Sequence, residues 1–424
     1  MADSQNNTCV QPAMASCVER SGRGHRASRS TTWVVLSLVL AAGCTNRELA
    51  TLNPKVSRVF EEAVGNNSTA DVDLLLVIDN SGSMEAEQAL LEEEIPRLVR
   101  ELTSPPDNNG DGEPDWNPAE TVQVAVVTTD LGTNGFNTQD LGGCGIGRDS
   151  QTNDVWGDNG RLLSCGASPI TRWETGNNVD AFVQQVSCAA VAGIGGCGFE
   201  QPLEAAVRGL ANAQQNGFPR EDSLLAVLVL TDEEDCSVAD PAGFYTSLPA
   251  DASIARHCID NEHLLRSVDE LVAGIQAARS GPVLFSAIAG IPVDLAEADA
   301  SPETILADPR MDYVVADTEV GLAYVCTSAT PDGELRSQAA PARRVLQLAT
   351  QFEDSLVRSI CEEDFGRAIE ELTKRIGARI TDYCLVRGPQ VRDDGSFCEL
   401  LDRAAEVLLA DASNERVFKL RGQL

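Results

Sequence analysis

A short loop of this 424-residue chain brings a carboxylate and two hydroxyls together: Asp79-Asn80-Ser81-Gly82-Ser83. The three oxygen-bearing side chains alternate along the chain, and Gly82 permits a tight turn between the two hydroxyls. Oxygens arranged in this way can converge on one hard divalent cation. The same pattern is also common as a helix N-cap followed by a polar turn, so the loop alone leaves both interpretations open.

A second acid follows an apolar run later in the chain. The run Leu224–Leu230 is aliphatic throughout, and Thr231-Asp232 comes directly after it. Asp232 therefore stands at the carboxyl end of a predicted strand, the end at which open α/β sheets bind their ligands. The alternative is that Asp232 caps a helix or is a solvated acid in the run Asp232-Glu233-Glu234-Asp235.

A third candidate is Glu200, which follows the glycine-rich segment Gly195-Gly196-Cys197-Gly198 and precedes Pro202. Proline is favoured in the first turn of a helix, so a helix is predicted to begin there. Glu200 either caps this helix or ligates the cation as a further anionic group. Direct ligation would favour Ca²⁺ or tightly bound Mg²⁺, with Mn²⁺ as a further candidate, and would weaken the metal's attraction for an incoming carboxylate.

Another loop has the ligand spacing of a calcium site. Oxygen-bearing side chains stand at Asp107, Asn109, Asp111 and Asp115, and this spacing fits the first nine places of an EF-hand-like loop. The twelfth place, where a bidentate acid belongs, is Pro118. The loop is therefore either a second Ca²⁺ site or a plain acidic turn.

Apolar periodicity around these loops predicts strands that alternate with helices. Continuous apolar runs typical of buried parallel strands occupy residues 71–79, 122–128, 224–230 and 283–289. Helical spacing predicts helices at 84–102, 179–190, 202–214, 261–279 and 342–379, the last with a break. This alternation predicts an α/β fold with a doubly wound, mainly parallel sheet. Residues 131–178 and 232–260, both rich in Gly, Asp and Cys, are predicted to be disulfide-stapled insertions on the binding face.

The loop Asp79-x-Ser81-x-Ser83, together with Thr231-Asp232 after a later strand, resembles the metal-ion-dependent adhesion site (MIDAS) of von Willebrand factor A (VWA) domains. The resemblance covers roughly residues 72–379. It implies that the first and fourth strands are neighbours, so that Asp79 and Asp232 face one crevice. It further implies that Ser81 and Ser83 bind the metal directly and that Asp79 and Asp232 act largely through water. It also implies that the metal's open position takes an acidic side chain from a protein partner. The chain departs from the family at Glu200, which stands where the family has a threonine.

The first 44 residues have the composition of an export signal. The apolar run 31–43 is too short to span a bilayer comfortably. It follows four basic residues: Arg20, Arg23, Arg26 and Arg29. Ala41-Ala42-Gly43-Cys44 resembles a bacterial lipobox, which implies lipidation of Cys44 and an outer-membrane or cell-surface lipoprotein. The alternatives are an ordinary secretory signal, giving a periplasmic or secreted protein, and an uncleaved anchor.

The remaining boundaries follow from composition. Residues 45–67 are polar without a sustained period and are predicted to be a flexible tether. Residues 68–380 are predicted to form the VWA-like domain with its two insertions, and residues 381–424 are predicted to form an appended segment.

Ten cysteines follow Cys44, an even number that favours disulfides in an exported protein. A local pairing scheme is predicted: Cys144 with Cys165, Cys188 with Cys197, Cys236 with Cys258, Cys326 with Cys361, and Cys384 with Cys398. None of the ten forms a Cys-x-x-Cys motif, and the only histidines in this part of the chain are His257 and His263. A structural zinc site or a redox motif is therefore not expected.

The overall charge narrows the class of partner. A formal net charge of -33 argues against nucleic acid and against an anionic membrane surface, so membrane attachment is expected only through the lipid anchor. No Gly-x-Ser-x-Gly, His-Glu-x-x-His or phosphate-loop motif occurs, and a phosphatase built on Asp79 would need an acid where Ser81 stands. We therefore expect a binding protein in adhesion or envelope assembly, not an enzyme. The alternatives are a Ca²⁺-stabilised scaffold whose metal touches no partner and a metal-dependent hydrolase.

Overall fold

The computed structural model describes residues 8–9, 70–136, 157–249, 253–318, 321–381 and 384–385, which belong to two compact units. In one unit, strand β1 (Thr8–Cys9) pairs antiparallel with β10 (Cys384–Leu385). The other unit spans Ser68–Thr381 and contains the remaining described elements. Within the described residues, no helix is both long enough and apolar enough to cross a membrane.

A six-stranded sheet forms the centre of the larger unit. Its strands are β2 (Asp71–Ile78), β3 (Thr121–Thr128), β4 (Thr171–Glu174), β5 (Leu224–Leu230), β6 (Val283–Ala289) and β9 (Asp354–Ser359). They lie in the order β4-β3-β2-β5-β6-β9, and only β4 is antiparallel to its neighbour. The chain winds outward from β2 to one edge and then from β5 to the other, which confirms the predicted doubly wound, mainly parallel α/β fold.

Helices cover both faces of the sheet. The longer ones are α1 (Glu85–Thr103), α2 (Val179–Ala190), α3 (Pro202–Gln214), α6 (Val268–Gln276) and α10 (Gly366–Thr381). The shorter ones are α4 (Pro241–Ser247), α5 (Ile254–Asp260), α7 (Val293–Glu297), α8 (Pro302–Leu306) and α9 (Arg343–Ala349). Short 3-10 turns occur at Gly82–Met84, Glu262–Leu264 and Pro309–Met311.

The apolar run of β2 explains this layering. Leu74 and Leu76 pack on one face with apolar residues of α1, α2 and α10, whereas Leu75 and Val77 pack on the other with residues of α3, α6 and α9. A strand covered on both faces is apolar along most of its length, as β2 is from Leu74 to Ile78, which is why the sequence pattern identified it.

Two sheet strands were not predicted. Residues 171–174, inside the first predicted insertion, form the antiparallel edge strand β4, so that insertion is not wholly a decoration. The predicted helix 342–379 is instead helix α9, strand β9 and helix α10. The sequence of β9 hides its burial because it contains Arg358, which is 1% exposed; its guanidinium donates to the Ala296 carbonyl at 2.6 Å and pairs with Glu362 at 2.9 Å.

The predicted helix 261–279 is also too long. The helix α6 begins only at Val268, where Ser267 and Glu270 form a capping box, and a 3-10 turn precedes it. A capping box satisfies the exposed amides of the first turn from both sides and so sets the start of the helix.

The disulfides agree with the predicted scheme in part. The pairs Cys236–Cys258 and Cys326–Cys361 are present as predicted, and the second joins the hairpin β7 (Cys326–Ala329) and β8 (Leu335–Ala339) to the residues after β9. Cys165 bonds to Cys188, so the predicted pairings Cys144 with Cys165 and Cys188 with Cys197 are both wrong.

The reason for the error lies in the edge strand. Because β4 joins the sheet beside α2, the segment before β4 is carried next to that helix, which bears Cys188. Cys197 is disulfide-bonded as well. Cys144 and Cys398 lie outside the described residues.

Candidate metal centre

The sheet topology brings the two predicted acidic loops together. Strands β2 and β5 are adjacent and parallel, with Ile78 opposite Leu230, so Asp79 and Thr231 leave the sheet side by side. The Asp79 amide donates to the Leu230 carbonyl at 2.9 Å. This is the point where the strand order reverses, the usual ligand crevice of an open α/β sheet.

Asp79 is fully buried, and both of its carboxylate oxygens accept hydrogen bonds. The Ser81 amide donates to Oδ1 at 2.9 Å and the Thr231 hydroxyl donates to Oδ2 at 2.6 Å. Burial raises the pKa of Asp79, while the bonds from Thr231 and Ser81 act in the opposite direction. Asp79 therefore holds the loop in shape and joins it to the end of β5.

The two serine hydroxyls of the loop lie beside each other. The Oγ atoms of Ser81 and Ser83 are 3.0 Å apart; Ser81 is buried and Ser83 is exposed. Two ligands at adjacent corners of an octahedron with metal–oxygen bonds of about 2.1 Å are also about 3.0 Å apart. The pair has the spacing that Mg²⁺ needs, and without a cation the same spacing is an ordinary hydrogen bond.

Asp232 is buried at the same crevice, 4% exposed, and its Oδ1 has no hydrogen-bond partner among the described residues. Burial, and then the charges of Asp79, Glu233 and Glu87, raise the pKa of Asp232 well above its usual value, whereas the Ser83 hydroxyl lowers it. The side chain thus reaches both the loop acid and the exposed loop hydroxyl.

Of the four acids in the run 232–235, Glu234 and Asp235 are the ones that cap helices. Glu234 accepts the backbone amides of Arg343 and Arg344 at the start of α9, at 2.7 and 3.0 Å. Asp235 accepts the Leu203 amide at 3.0 Å and pairs with the Arg344 guanidinium at 3.0 Å. The alternative in which Asp232 is a helix cap or a solvated acid does not describe its place in the structure.

Glu200 is not the cap of α3. The amides of Leu203 and Glu204 are satisfied by Asp235 and by the Ser237 hydroxyl, the latter at 2.9 Å. Glu200 itself is 1% exposed, and among the described residues no N–H or hydroxyl donates to its carboxylate oxygens, although the acid Glu233 lies within hydrogen-bonding reach. Burial, and then the charges of Glu233, Asp79 and Asp232, raise the pKa of Glu200 well above its usual value.

Several interactions of the centre were not predicted from the sequence. Thr231 bonds to Asp79, and the acids Glu233 and Glu87 are close enough to influence the candidate ligands. Glu87 is 1% exposed and accepts a hydrogen bond from the Ser337 hydroxyl. Glu87 lies four residues after Ser83, a helical spacing that could have indicated it.

Gln88 also belongs to the surroundings of the centre. It donates from Nε2 to the carbonyls of Asp79 at 2.6 Å and Gly193 at 2.7 Å, which joins the loop Asp79–Ser83 to the segment after α2.

The centre has a surplus of negative charge. Among the described residues, no Lys or Arg side chain forms an ion pair with Asp79, Asp232 or Glu200. Also within that part of the chain, no group of three or more His, Cys, Asp or Glu side chains has metal-holding geometry by itself. A candidate ligand set therefore combines the acids with the two serine hydroxyls, and its buried unpaired oxygens fit a small divalent cation.

The second candidate loop lies in the exposed connection between α1 and β3. Asp107 accepts the amides of Gly110 at 2.7 Å, Asp111 at 3.1 Å and Gly112 at 2.9 Å. Asn109 and Asp111 accept amides two residues ahead, and Asp115 accepts the Asn108 amide at 3.3 Å. A plain acidic turn already accounts for these bonds, so Ca²⁺ binding here stays a prediction.

The buried histidine has a structural environment. His257 is 6% exposed; its Nε2 lies 3.1 Å from the Ser247 hydroxyl and its Nδ1 lies 3.1 Å from the Asn261 amide nitrogen. Its ring also packs edge-on against Phe244. Both ring nitrogens are thus engaged within the stapled insertion.

Comparisons with known proteins give structural likenesses only. No family model matches the chain, and no curated protein matches it. Among solved structures, the conserved hypothetical protein BatB from Bacteroides thetaiotaomicron matches 73% of this chain and 98% of its own, at 14% identity and a TM-score of 0.29.

Two further solved structures are much longer than the matched region. Proximal thread matrix protein 1 from the mussel byssus, solved with a zinc-occupied MIDAS motif, matches 73% of this chain and 46% of its own, at 14% identity and a TM-score of 0.31. The pilus adhesin SpaC from Lactobacillus rhamnosus GG matches 74% and 30%, at 10% identity and a TM-score of 0.35. Likenesses at this level carry no argument about function, and the fold assignment rests on the strand order.

Proposed function

We propose that this chain is a VWA-type binding protein that holds a divalent cation, Mg²⁺ or Ca²⁺ with Mn²⁺ as a further candidate, in the loop Asp79–Ser83. The observation that carries the proposal is the pair of buried acids Asp232 and Glu200, whose unpaired oxygens lie at the same crevice as two hydroxyls 3.0 Å apart. A buried unpaired carboxylate is strongly disfavoured unless a cation or a proton compensates it.

The residues divide into two roles. Ser81 and Ser83 would bind the metal directly, and Asp232 would act beside them, directly or through water. Asp79 orients the loop through its bonds to Ser81 and Thr231. When bound, the cation would attract an acidic side chain of a protein partner, and we propose no catalytic step.

We also propose that the protein is exported and anchored by lipid at Cys44, and that it serves in adhesion or envelope assembly. The disulfides Cys165–Cys188, Cys236–Cys258 and Cys326–Cys361 support an oxidising compartment. The acidic composition supports a role away from nucleic acid.

A second candidate function is a metal-stabilised scaffold. The burial of Glu200 favours it, because an acid supplied by the chain itself can complete the shell of the cation. In that case the metal stabilises the fold and contacts no partner.

Affinity capture from a cell-envelope fraction tests the binding function. Wild-type protein loaded with Mg²⁺ is expected to retain a partner that EDTA releases and that Asp79→Ala does not capture. The control is Asp180→Ala, which removes an acid of α2 that is 70% exposed. A partner that stays bound in EDTA or to Asp79→Ala contradicts metal-mediated binding, and metal uptake without any captured partner favours the scaffold.

A further inference from the structure

The backbone at Glu200 and Gln201 is held by hydrogen bonds from both sides. The Glu200 carbonyl accepts the Cys236 amide at 3.0 Å, and the next residue, Gln201, donates its amide to the Thr129 carbonyl at 3.3 Å. Gln201 is fully buried, and its side-chain oxygen accepts from Asn134 at 2.7 Å and from the Val238 amide at 3.2 Å. Glu200 is therefore held between the ends of β3 and β5.

The surroundings of the carboxylate contain acids rather than donors. Neither oxygen of Glu200 receives an N–H or O–H hydrogen bond. Glu233 lies within hydrogen-bonding reach of Glu200, and two carboxyl groups this close cannot both stay ionised unless a proton or a cation lies between them. Asp79 and Asp232 add further negative charge. Since Asp235 and Ser237 cap α3, the start of that helix does not use Glu200.

We infer that Glu200 is a built-in ligand of the cation, which a partner's carboxylate has to displace before it can reach the metal. This inference rests on the cation binding proposed above, and it adds a way in which the access of a partner to that cation is regulated. Asp79, Asp232 and Glu200 together carry more negative charge than one divalent ion neutralises, so an external carboxylate is repelled while Glu200 stays in place. A neutral threonine at position 200 would leave the metal position open.

Mn²⁺ binding and water relaxation test this inference in the full chain. The variants are Glu200→Gln and Glu200→Thr, with Glu334→Gln as the control because Glu334 is exposed in the β7–β8 turn. Every protein in the comparison, including the wild-type reference, carries Asp111→Ala, so that metal binding by the loop 107–115 does not add to the signal. Acetate serves as the probe carboxylate, and thermal unfolding without metal confirms that each variant folds.

Loss of an anionic ligand is expected to weaken Mn²⁺ binding about tenfold or more in both Glu200 variants and not in Glu334→Gln. Acetate is expected to displace metal-bound water in Glu200→Thr and to leave the wild-type relaxation unchanged. Equal Mn²⁺ affinity in wild type and Glu200→Gln overturns the inference, as does an equal acetate response in wild type and Glu200→Thr. Absence of binding of Mn²⁺, Mg²⁺ and Ca²⁺ alike in the wild type would instead overturn the proposed function.

Discussion

At the scale of single residues, the candidate centre depends on side chains that touch across loops. Asn80 shows how closely the loops pack: it is fully buried, and its carbonyl accepts the Gly196 amide at 2.8 Å. A Cβ at position 196 would lie 2.3 Å from the Asn80 side chain, whereas a Cβ at Gly195 would meet nothing within 4 Å. Only one of two adjacent glycines is therefore required by the packing.

Replacing Gly196 by alanine is expected to destabilise the fold by about 1–3 kcal/mol, because the buried Asn80 side chain cannot move aside without overpacking its neighbours. The change should also weaken Mg²⁺ binding, since it displaces the loop that contains Ser81. Urea unfolding and Mg²⁺ titration measure both effects. Gly195→Ala is the matched control, with an expected change within about 0.5 kcal/mol. Equal unfolding free energies for the two variants would show that the loops do not pack in this way.

Sequence reasoning predicted that Asp79 and Asp232 share one crevice, and the two strands that precede them are adjacent and parallel; Ser81 and Ser83 were proposed from the pattern of the Asp79 loop. It left open whether Glu200 caps a helix, because a cap is decided by which oxygen reaches the amides. Asp235 and Ser237, more than 30 positions away along the chain, reach them first. Gln88 was missed because its contacts are to backbone carbonyls, which carry no side-chain pattern.

At the scale of elements, one buried ion pair joins three parts of the fold. Asp235 follows β5, accepts the Leu203 amide of α3, and pairs with Arg344 of α9 at 3.0 Å; both charged side chains are at most 4% exposed. The Arg344 guanidinium also donates to the Arg266 carbonyl at 2.7 Å. These contacts fix the start of α3 and α9 relative to the acidic loop.

Asp235→Ala is expected to lower the free energy of unfolding by about 3–5 kcal/mol, because it leaves the Arg344 charge buried without its partner. Urea denaturation measures the change. Asp240→Ala provides the comparison: Asp240 is an exposed N-cap of α4 that accepts the Gly243 amide at 3.0 Å, and its loss should cost about 1 kcal/mol. If Asp235→Ala costs no more than Asp240→Ala, the pair does not have this role.

The central strands were predictable because burial on both faces leaves a continuous apolar run, as in β2 and β5. The strands at the two edges of the sheet, β4 and β9, could not be predicted in this way. In strand β9 the guanidinium of Arg358 donates to the Ala296 carbonyl and pairs with Glu362 and Asp299, all three of which lie outside the strand. Strand β4 is four residues long and only partly buried, too short for alternation to show.

At the scale of the whole molecule, charge and aliphatic content can be read directly from the sequence, whereas the pairing of the disulfides cannot. The acidic charge and aliphatic content are properties of the entire chain, but disulfide pairing depends on which segments the fold brings together. Cys236–Cys258 closes its own insertion and was predictable as a local pair, whereas Cys165–Cys188 depends on the unexpected edge strand β4.

Thermal unfolding of the full chain in EDTA and in excess Mg²⁺, Ca²⁺ or Mn²⁺ tests the central claim, that the Asp79 loop holds a divalent cation. A ligand that binds only the folded state stabilises it by about 2.7 kcal/mol at one hundred times its dissociation constant, so the wild-type melting temperature should rise with at least one of these metals. Asp79→Ala should lose that rise, because the mutation removes the acceptor that joins Ser81 to Thr231. A wild-type melting temperature unchanged by all three metals, or an equal rise in Asp79→Ala, would contradict the account.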